Sequence, residues 1–183
     1  MAEPRIPMVP ADCGEPAELL AAIRSRRGDG LLNLDRTLLR STPLARGWND
    51  YLGVIRSGLS VAPLLRELAI CGVAVLNGAD YEFSQHEPEF IRAGGSAAAA
   101  RRLRHFEAAA DERELFSERE RAVMRLTIAM TLDIEVDDAV WQDLQRVMPD
   151  AQELVEIVSV VATYNMVSRF LVACRIEPEA AER

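Results

Sequence analysis

The segment spanning residues 151–174 carries apolar side chains at intervals of three and four residues, which is the spacing of a helix with a broad buried face. The side chains are those of Leu154, Ile157, Val158, Val161, Tyr164, Val167, Phe170 and Leu171. Nowhere does the sequence alternate apolar and polar residues over a useful length, and no Asn-Gly hairpin lies between β-branched runs. The sequence therefore predicts an all-α fold.

Capping residues divide the chain into about seven or eight predicted helices. Helix starts are expected at Asp12 with Glu15, Ser41 before Pro43, Ser60 before Pro63, Ala79, Ser96, Ser117 with Glu120, and Asp137 or Asp138. Helix ends are expected at Gly28, Gly58, Asn77-Gly78, Gly94-Gly95 and Pro149. Pro88 is expected to kink or restart its helix, and the Ala-rich segment 97–108 is expected to form one helix.

Residues 1–11 carry prolines at positions 4, 7 and 10. Three prolines at this spacing disfavour helix, so we expect an extended arm that lies on a protein surface, either of this chain or of a neighbouring subunit. Residues 12–183 are then expected to form a single helical domain, as suits a chain of 183 residues.

Composition and charge exclude several classes of partner. The net charge is −8 and the sequence pI is about 4.9, which disfavours nucleic acid or an anionic membrane as the main partner. We read the basic run 101–105 as a solvated helix face. No apolar run reaches the roughly 18 residues of a membrane helix, and residues 1–10 do not resemble a signal peptide. Three isolated cysteines, Cys13, Cys71 and Cys174, predict reduced thiols and a cytoplasmic protein.

Glu67, Glu82 and His86 are the strongest candidates for chemistry. Glu82 and His86 are four residues apart, so a helix places them on one face, about 5–6 Å apart at Cβ. Glu67 lies on the preceding predicted helix, on an apolar face where a carboxylate must be paired, hydrogen-bonded or protonated. Two carboxylates and an imidazole that converge could move a proton to and from a substrate carbon.

Structural interpretations of the same residues remain open. Glu67 could instead form an ion pair, for example with Arg169, and His86 could be a satisfied core histidine between Phe83 and Phe90. A metal site is a further interpretation of the Glu82/His86 pair. It is disfavoured because a third and a fourth ligand are not evident in the sequence.

A second constellation lies in the last predicted helix. Tyr164, Asn165 and Arg169 are polar groups in an apolar segment and must find partners. Asn165 and Arg169 are candidates for binding a substrate carbonyl or carboxylate, and Tyr81 is a candidate pocket wall. Packing between helices is the alternative. The chain has no dinucleotide-binding glycine motif, no P-loop, no Gly-x-Ser-x-Gly and no His-Glu-x-x-His.

The segments 31–39, 66–68, 77–86, 115–123 and 164–170 together resemble the carboxymuconolactone decarboxylase family, within the alkyl hydroperoxidase D-like superfamily. In the peroxidase branch a glutamate is followed after 12, 15 and 19 residues by two cysteines and a histidine. Counted from Glu67, these positions hold Ala79, Glu82 and His86. Because both cysteines are replaced, the resemblance does not imply thiol peroxidase activity. Residual peroxide chemistry at Cys71 is a separate, weaker interpretation.

The resemblance implies an all-helical subunit, a homo-oligomer such as a trimer or hexamer, and a cofactor-independent decarboxylase or lyase acting on a small carboxylated or lactone substrate. His86 would be the general acid/base, Glu82 its orienting partner and Glu67 a second proton-transfer group. No metal and no cofactor is expected. The alternative is a non-redox oligomeric binding or stress-related protein that uses the same scaffold without catalysis.

Overall fold

The computed structural model describes residues 4–28 and 30–179, and within these ranges it contains helices and connecting segments but no strand. The prediction of an all-α fold is therefore confirmed. The described residues form two compact units. One comprises the described parts of 1–59 and 173–183, and the other comprises 60–172.

The first unit contains helices α1 (Ala17–Arg27), α2 (Asn33–Leu38) and α3 (Thr42–Ser57). Its apolar core is formed by one side of each helix, with Leu19, Leu20, Ile23, Leu34, Leu38, Trp48, Leu52 and Ile55 buried. Helix α1 starts later than expected, because Pro16 occupies the capping position and the Glu15 carboxylate, not that of Asp12, accepts a hydrogen bond from the Ala17 amide.

The described part of the N-terminal arm, residues 4–11, is not helical and lies on the first unit of its own chain. The Val9 amide donates to the Arg36 carbonyl, and the Arg36 and Arg40 guanidinium groups donate to the carbonyls of residues 7–9. The Arg5 amide donates to the carbonyl of Cys174. Proline-rich backbone has few N–H groups, so its carbonyls are satisfied by arginine side chains instead.

The second unit is built around helix α4 (Pro63–Leu76). It also contains α5 (Asp80–Arg92), α6 (Ala97–Arg102), a 3-10 turn (Leu103–His105), α7 (Phe106–Ala109), α8 (Glu118–Leu132), α9 (Asp138–Val147) and α10 (Ala151–Cys174), whose last two residues belong to the first unit. Helix α4 contacts α5, α7, α8 and the 3-10 turn. Its central residues, from Leu68 to Ala74, are buried on all sides.

One local prediction in this unit is wrong, and one of the two alternatives expected at Pro88 is excluded. The segment 97–108 is divided at the 3-10 turn, where Leu103 and Phe106 are both fully buried, because residues three apart align on one side of a 3-10 helix. The segments therefore outnumber the predicted seven or eight. Pro88 does not restart its helix, and α5 continues from Asp80 to Arg92 with Phe90 completely buried. Pro88 removes one helical donor, and this loss is tolerated where the flanking residues pack into the core.

Helix α10 corrects the expectation that no apolar run in the sequence is long enough for a membrane helix. By length and composition it is apolar enough to cross a membrane, although 56% of the relevant window is buried inside the protein. Its polar side chains bond to other helices and segments of the second unit, as when Glu156 accepts hydrogen bonds from the Ser60 and Val61 amides just before α4. These properties are typical of the core helix of a globular protein.

Candidate functional site

Glu67, Glu82 and His86 converge in a buried cluster between α4 and α5. The Nδ1 atom of His86 lies 2.6 Å from Oε2 of Glu67, and Nε2 lies 3.0 Å from Oε1 of Glu82. His86 is 1% exposed, and the two glutamates are each 5% exposed. The imidazole is thus held between two carboxylates, one from each helix.

The turn between α4 and α5 produces this convergence. Gly78 has φ +63°, a left-handed conformation that favours glycine, and the Ala79 amide returns to the Ala74 carbonyl at 2.8 Å. The chain reverses there, so Glu67 on α4 and His86 on α5 lie at similar distances from the turn. The helical spacing of Glu82 and His86 supplies the second carboxylate.

Glu67 is ionised more readily than an ordinary glutamate. Burial, the largest influence, raises the pKa of its carboxyl, but the hydrogen bond and charge of His86 and the nearby Arg66 outweigh burial, so that the pKa lies below its usual value near 4.5. Nε of Arg66 is 3.2 Å from Oε1 of Glu67. The ion pair that the sequence left open for Glu67 is present, but its arginine is Arg66 and not Arg169, which was the example named. Adjacency in sequence was the only signal for it.

The contacts of His86 limit where the protons of the cluster can lie. With Glu67 ionised, the Nδ1 atom of His86 donates to it. The contact between Nε2 and Glu82 then needs one further proton, carried either by the imidazolium or by the Glu82 carboxyl. Both arrangements join the same two atoms, Nε2 of His86 and Oε1 of Glu82, at 3.0 Å.

Tyr164 of α10 borders the cluster. Its ring packs edge-on against the His86 imidazole, with centroids 5.1 Å apart and an interplanar angle of 83°. Tyr81, the predicted pocket wall, is buried on α5, and its carbonyl accepts a hydrogen bond from the Ser84 hydroxyl. A role for Tyr81 in binding substrate stays a prediction.

Asn165 connects helices rather than pointing to the carboxylate cluster. Its amide nitrogen donates to the Thr131 hydroxyl at 3.0 Å, and its oxygen accepts from Asn77 at 3.0 Å and from Arg169 at 2.6 Å. The amide nitrogen also donates to the Val161 carbonyl at 3.1 Å, so its donors are directed to Thr131 and Val161 and not to Glu67. Both ends of the amide are bonded within the protein, and the substrate-binding roles of Asn165 and Arg169 stay predictions.

Cys71 lies one turn after Glu67 on α4 and is completely buried. Burial first, and then the charges of Glu67, Glu87 and Glu82, raise the pKa of its thiol well above the usual value near 9.0. A thiol with a raised pKa is a poor nucleophile because the thiolate is the reactive form. This environment disfavours the interpretation of Cys71 as a site of peroxide chemistry.

Within residues 4–28 and 30–179, no group of three or more histidine, cysteine, aspartate or glutamate side chains is arranged to hold a metal ion. The two glutamates of the cluster face opposite ring nitrogens of His86, so their oxygen atoms and one imidazole nitrogen do not converge on a common point.

No protein-family model matches the sequence, and no curated protein matches it. The fold, however, is similar to several solved structures. One is an uncharacterized peroxidase-related protein from Silicibacter sp. TM1040, with 18% identity, a TM-score of 0.81, and 98% of this chain and 96% of that chain covered. Another is an uncharacterized peroxidase-related protein with an alkylhydroperoxidase AhpD core from Ralstonia eutropha JMP134, with 16% identity, a TM-score of 0.81, and coverage of 98% and 94%.

A third similar structure is the debrominase Bmp8, as a cysteine-to-alanine variant in complex with 2,3,4-tribromopyrrole. It is 18% identical, with a TM-score of 0.79 and coverage of 99% of this chain and 94% of that chain. Identities this low establish the fold alone. The chain therefore has the all-helical alkyl hydroperoxidase D-like fold.

Proposed function

We propose that this protein is a cofactor-independent enzyme that transfers protons on a small carboxylated or lactone substrate, as a decarboxylase or related lyase would. The observation that carries the proposal is the position of His86 between two carboxylates, with Glu67 at Nδ1 and Glu82 at Nε2. The presence of a debrominase among proteins of this fold supports an enzymatic role for the scaffold.

The geometry favours a change in the roles expected from the sequence. Glu67 is buried, ionised and paired with Arg66, so it is suited to orient the His86 ring and fix its Nδ1 proton. The Glu82–His86 pair is then the proton-transfer unit. In this proposal Glu67 is the orienting partner, and Glu82 exchanges its proton with His86.

The chemical step follows from this division. When a substrate carboxylate leaves as carbon dioxide, its bonding electron pair passes into an enolate or dienolate. The Glu82–His86 pair then protonates a carbon atom, so that a C–H bond forms as the N–H or O–H bond of the pair breaks. Water restores the proton to the pair. Because Arg66 balances the charge of Glu67, the pair can hold this proton without a net negative charge beside the developing enolate.

The test incubates the protein with a panel of carboxylated lactones in deuterated water. NMR measures the exchange of substrate C–H hydrogen for deuterium, and the release of carbon dioxide is measured in parallel. Glu82→Gln and His86→Gln should each lower the rate by roughly a hundredfold or more, since general acid–base catalysis contributes about 10²–10⁴-fold. Glu87→Gln, on the same helix but outside the cluster, is the matched control and should keep the rate. Melting temperature and native mass are measured for every variant.

The alternative is a non-catalytic oligomeric binding or stress-related protein. The burial of all three side chains favours it, because buried ion-pair networks also occur as purely structural elements. In that case Glu82→Gln and His86→Gln would lower stability or assembly, while any activity on the panel would persist. Loss of activity in a folded, assembled variant would exclude this alternative.

The proposal includes a cytoplasmic homo-oligomer, such as a trimer or hexamer. Two helices support it, because each carries exposed apolar side chains: Leu44, Tyr51 and Val54 on α3, and Val155, Met166 and Val172 on α10. The cysteines are free thiols, as expected in a reducing compartment. Light scattering at micromolar concentration tests the assembly, and a monomeric mass would contradict it.

A further inference from the structure

A cleft of about 410 Å³ lies in the second unit, between the end of α4, the 3-10 turn, α7 and the end of α8. Its volume falls within the range of small-molecule sites. Its lining residues do not include Glu67, Glu82 or His86. The cleft is therefore not explained by the proton-transfer cluster.

The apolar part of the cleft comes from three helices. Val75 and Leu76 contribute from α4, the ring of Phe106 from α7, and Leu132 from the end of α8. Leu132 is 50% exposed, whereas Phe106 is 1% exposed and fixed against α4. The ring of Phe106 is thus covered, and the apolar wall open to a small ligand is formed by Leu132 with the half-buried Val75 and Leu76.

Arg104 supplies a cation at this cleft with its hydrogen-bond donors unused. Its guanidinium carbon lies 4.1 Å from the centroid of the Phe83 ring, in a cation–π contact. Among the described residues Arg104 forms no hydrogen bond and no ion pair. Because the donors of a guanidinium group lie in its plane, stacking on Phe83 fixes the group but leaves these donors available to a carboxylate.

The remaining polar residues restrict the charge of the ligand. His105 and Glu107 also line the cleft, and Glu107, like Arg104, forms no ion pair among the described residues. The Glu107 carboxylate repels a second negative charge on a ligand whose first carboxylate is bound to Arg104. The lining thus combines one available cation, one carboxylate and an apolar wall.

We propose that this cleft binds a small monocarboxylic acid with an apolar body, its carboxylate on Arg104 and its body against Val75, Leu76 and Leu132. The site excludes dicarboxylates through Glu107 and excludes amines through Arg104. The proposal does not depend on catalysis by His86, and binding can be measured whether or not the protein turns over a substrate.

Calorimetry and amide NMR with the full chain test this site, with phenylacetate as the monocarboxylate probe. Phenylacetate should bind saturably and shift the amides of residues 104–108 and 132. Glutarate and phenethylamine should bind at least roughly tenfold more weakly, since a charge-assisted hydrogen bond is worth about that factor or more. Arg104→Gln should weaken phenylacetate binding by a similar factor.

Arg101→Gln is the matched control, because Arg101 is an exposed arginine of the same basic run that does not line the cleft. It should bind phenylacetate as the parent protein does. Glu107→Gln should reduce the difference in affinity between phenylacetate and glutarate, because the carboxylate that repels the second charge of glutarate is removed. Arg104→Lys is a second variant for the case in which Arg104→Gln lowers the melting temperature. It keeps the cation, so it should bind phenylacetate more tightly than Arg104→Gln does. Three results would overturn the proposal. The first is equal affinity of Arg104→Gln and Arg101→Gln for phenylacetate, and the second is equal affinity of the parent protein for phenethylamine and phenylacetate. The third is amide shifts confined to residues outside 104–108 and 132.

Discussion

The carboxylate of Glu67 lies 2.6 Å from Nδ1 of His86, although the two residues are separated by 19 positions and belong to different helices. This contact joins α4 to α5 at a level where both side chains are buried. It fixes the imidazole so that its other nitrogen faces Glu82. The orientation of His86 is therefore determined by a carboxylate on the neighbouring helix, and a second carboxylate, on its own helix, faces its other ring nitrogen.

Glu67→Gln should lower the free energy of unfolding at neutral pH and should make that free energy depend less on pH. The pKa of the folded Glu67 carboxyl lies below its ordinary value, so its contribution to stability is present above about pH 4.5 and is lost as the pH falls through the lowered pKa. We expect Glu67→Gln to cost about 3 kcal/mol at neutral pH, since it removes one member of a buried pair. Urea unfolding between pH 7 and 3 should show a shallower acid slope for this variant.

Glu135→Gln is the control for that measurement, because Glu135 is exposed and has no ion pair within the described residues. Its curve should parallel that of the parent protein. Parallel curves for Glu67→Gln as well would contradict the claim that Glu67 is stabilised as an anion by His86 and Arg66.

The pairing of α4 with α5 could be predicted from local sequence. Asn77-Gly78 marks the reversal, and helical spacing places Glu82 beside His86. The contact between Glu67 and His86 was not derivable from spacing alone, because it depends on how two helices pack, and the family resemblance supplied that expectation.

Other features of the site depend on contacts that sequence patterns do not encode. The partners of Asn165 come from the end of α4, from α8 and from its own helix, so only the three-dimensional arrangement reveals that its amide is fully bonded. The break after Arg102 likewise depends on the packing of Phe106 against α4. Both features depend on contacts between residues that are distant in sequence, which local helix propensity does not describe.

Cys71 should react with alkylating reagents much more slowly than Cys13 in the native protein. Burial and three nearby carboxylates raise its pKa, whereas Cys13 is partly exposed. Iodoacetamide should alkylate Cys13 at least roughly a hundredfold faster than Cys71, since each unit of pKa lowers the thiolate fraction about tenfold. Peptide mass spectrometry after timed alkylation measures both rates. Equal rates, or oxidation of Cys71 by peroxide in the folded protein, would restore the possibility of thiol chemistry at this site.

Asn165→Ala should destabilise the protein by about 2–3 kcal/mol, because it leaves the buried Thr131 hydroxyl and the Asn77 amide without one of their partners. Met166→Ala, at the next position of α10, is the control. Met166 is 42% exposed, so its truncation should cost less than about 1 kcal/mol. Chemical denaturation of both variants provides the comparison. If the two substitutions cost the same, the polar contacts of Asn165 contribute nothing beyond ordinary packing.

Gly72→Ala should destabilise the second unit, because a Cβ atom at this position would lie 2.2 Å from Cζ of Phe106. Gly72 is buried in the middle of α4, and Phe106 has no room to withdraw without disturbing the core, so we expect a cost of about 1–3 kcal/mol. Gly47→Ala is the matched control. Gly47 lies inside α3 with no atom within 4 Å of its Cβ position, and the substitution should stabilise by about 0.5–1 kcal/mol. Adding Phe106→Leu to Gly72→Ala should recover part of the loss in thermal or urea unfolding. A loss that is unchanged by this second substitution would place the steric conflict elsewhere in α4.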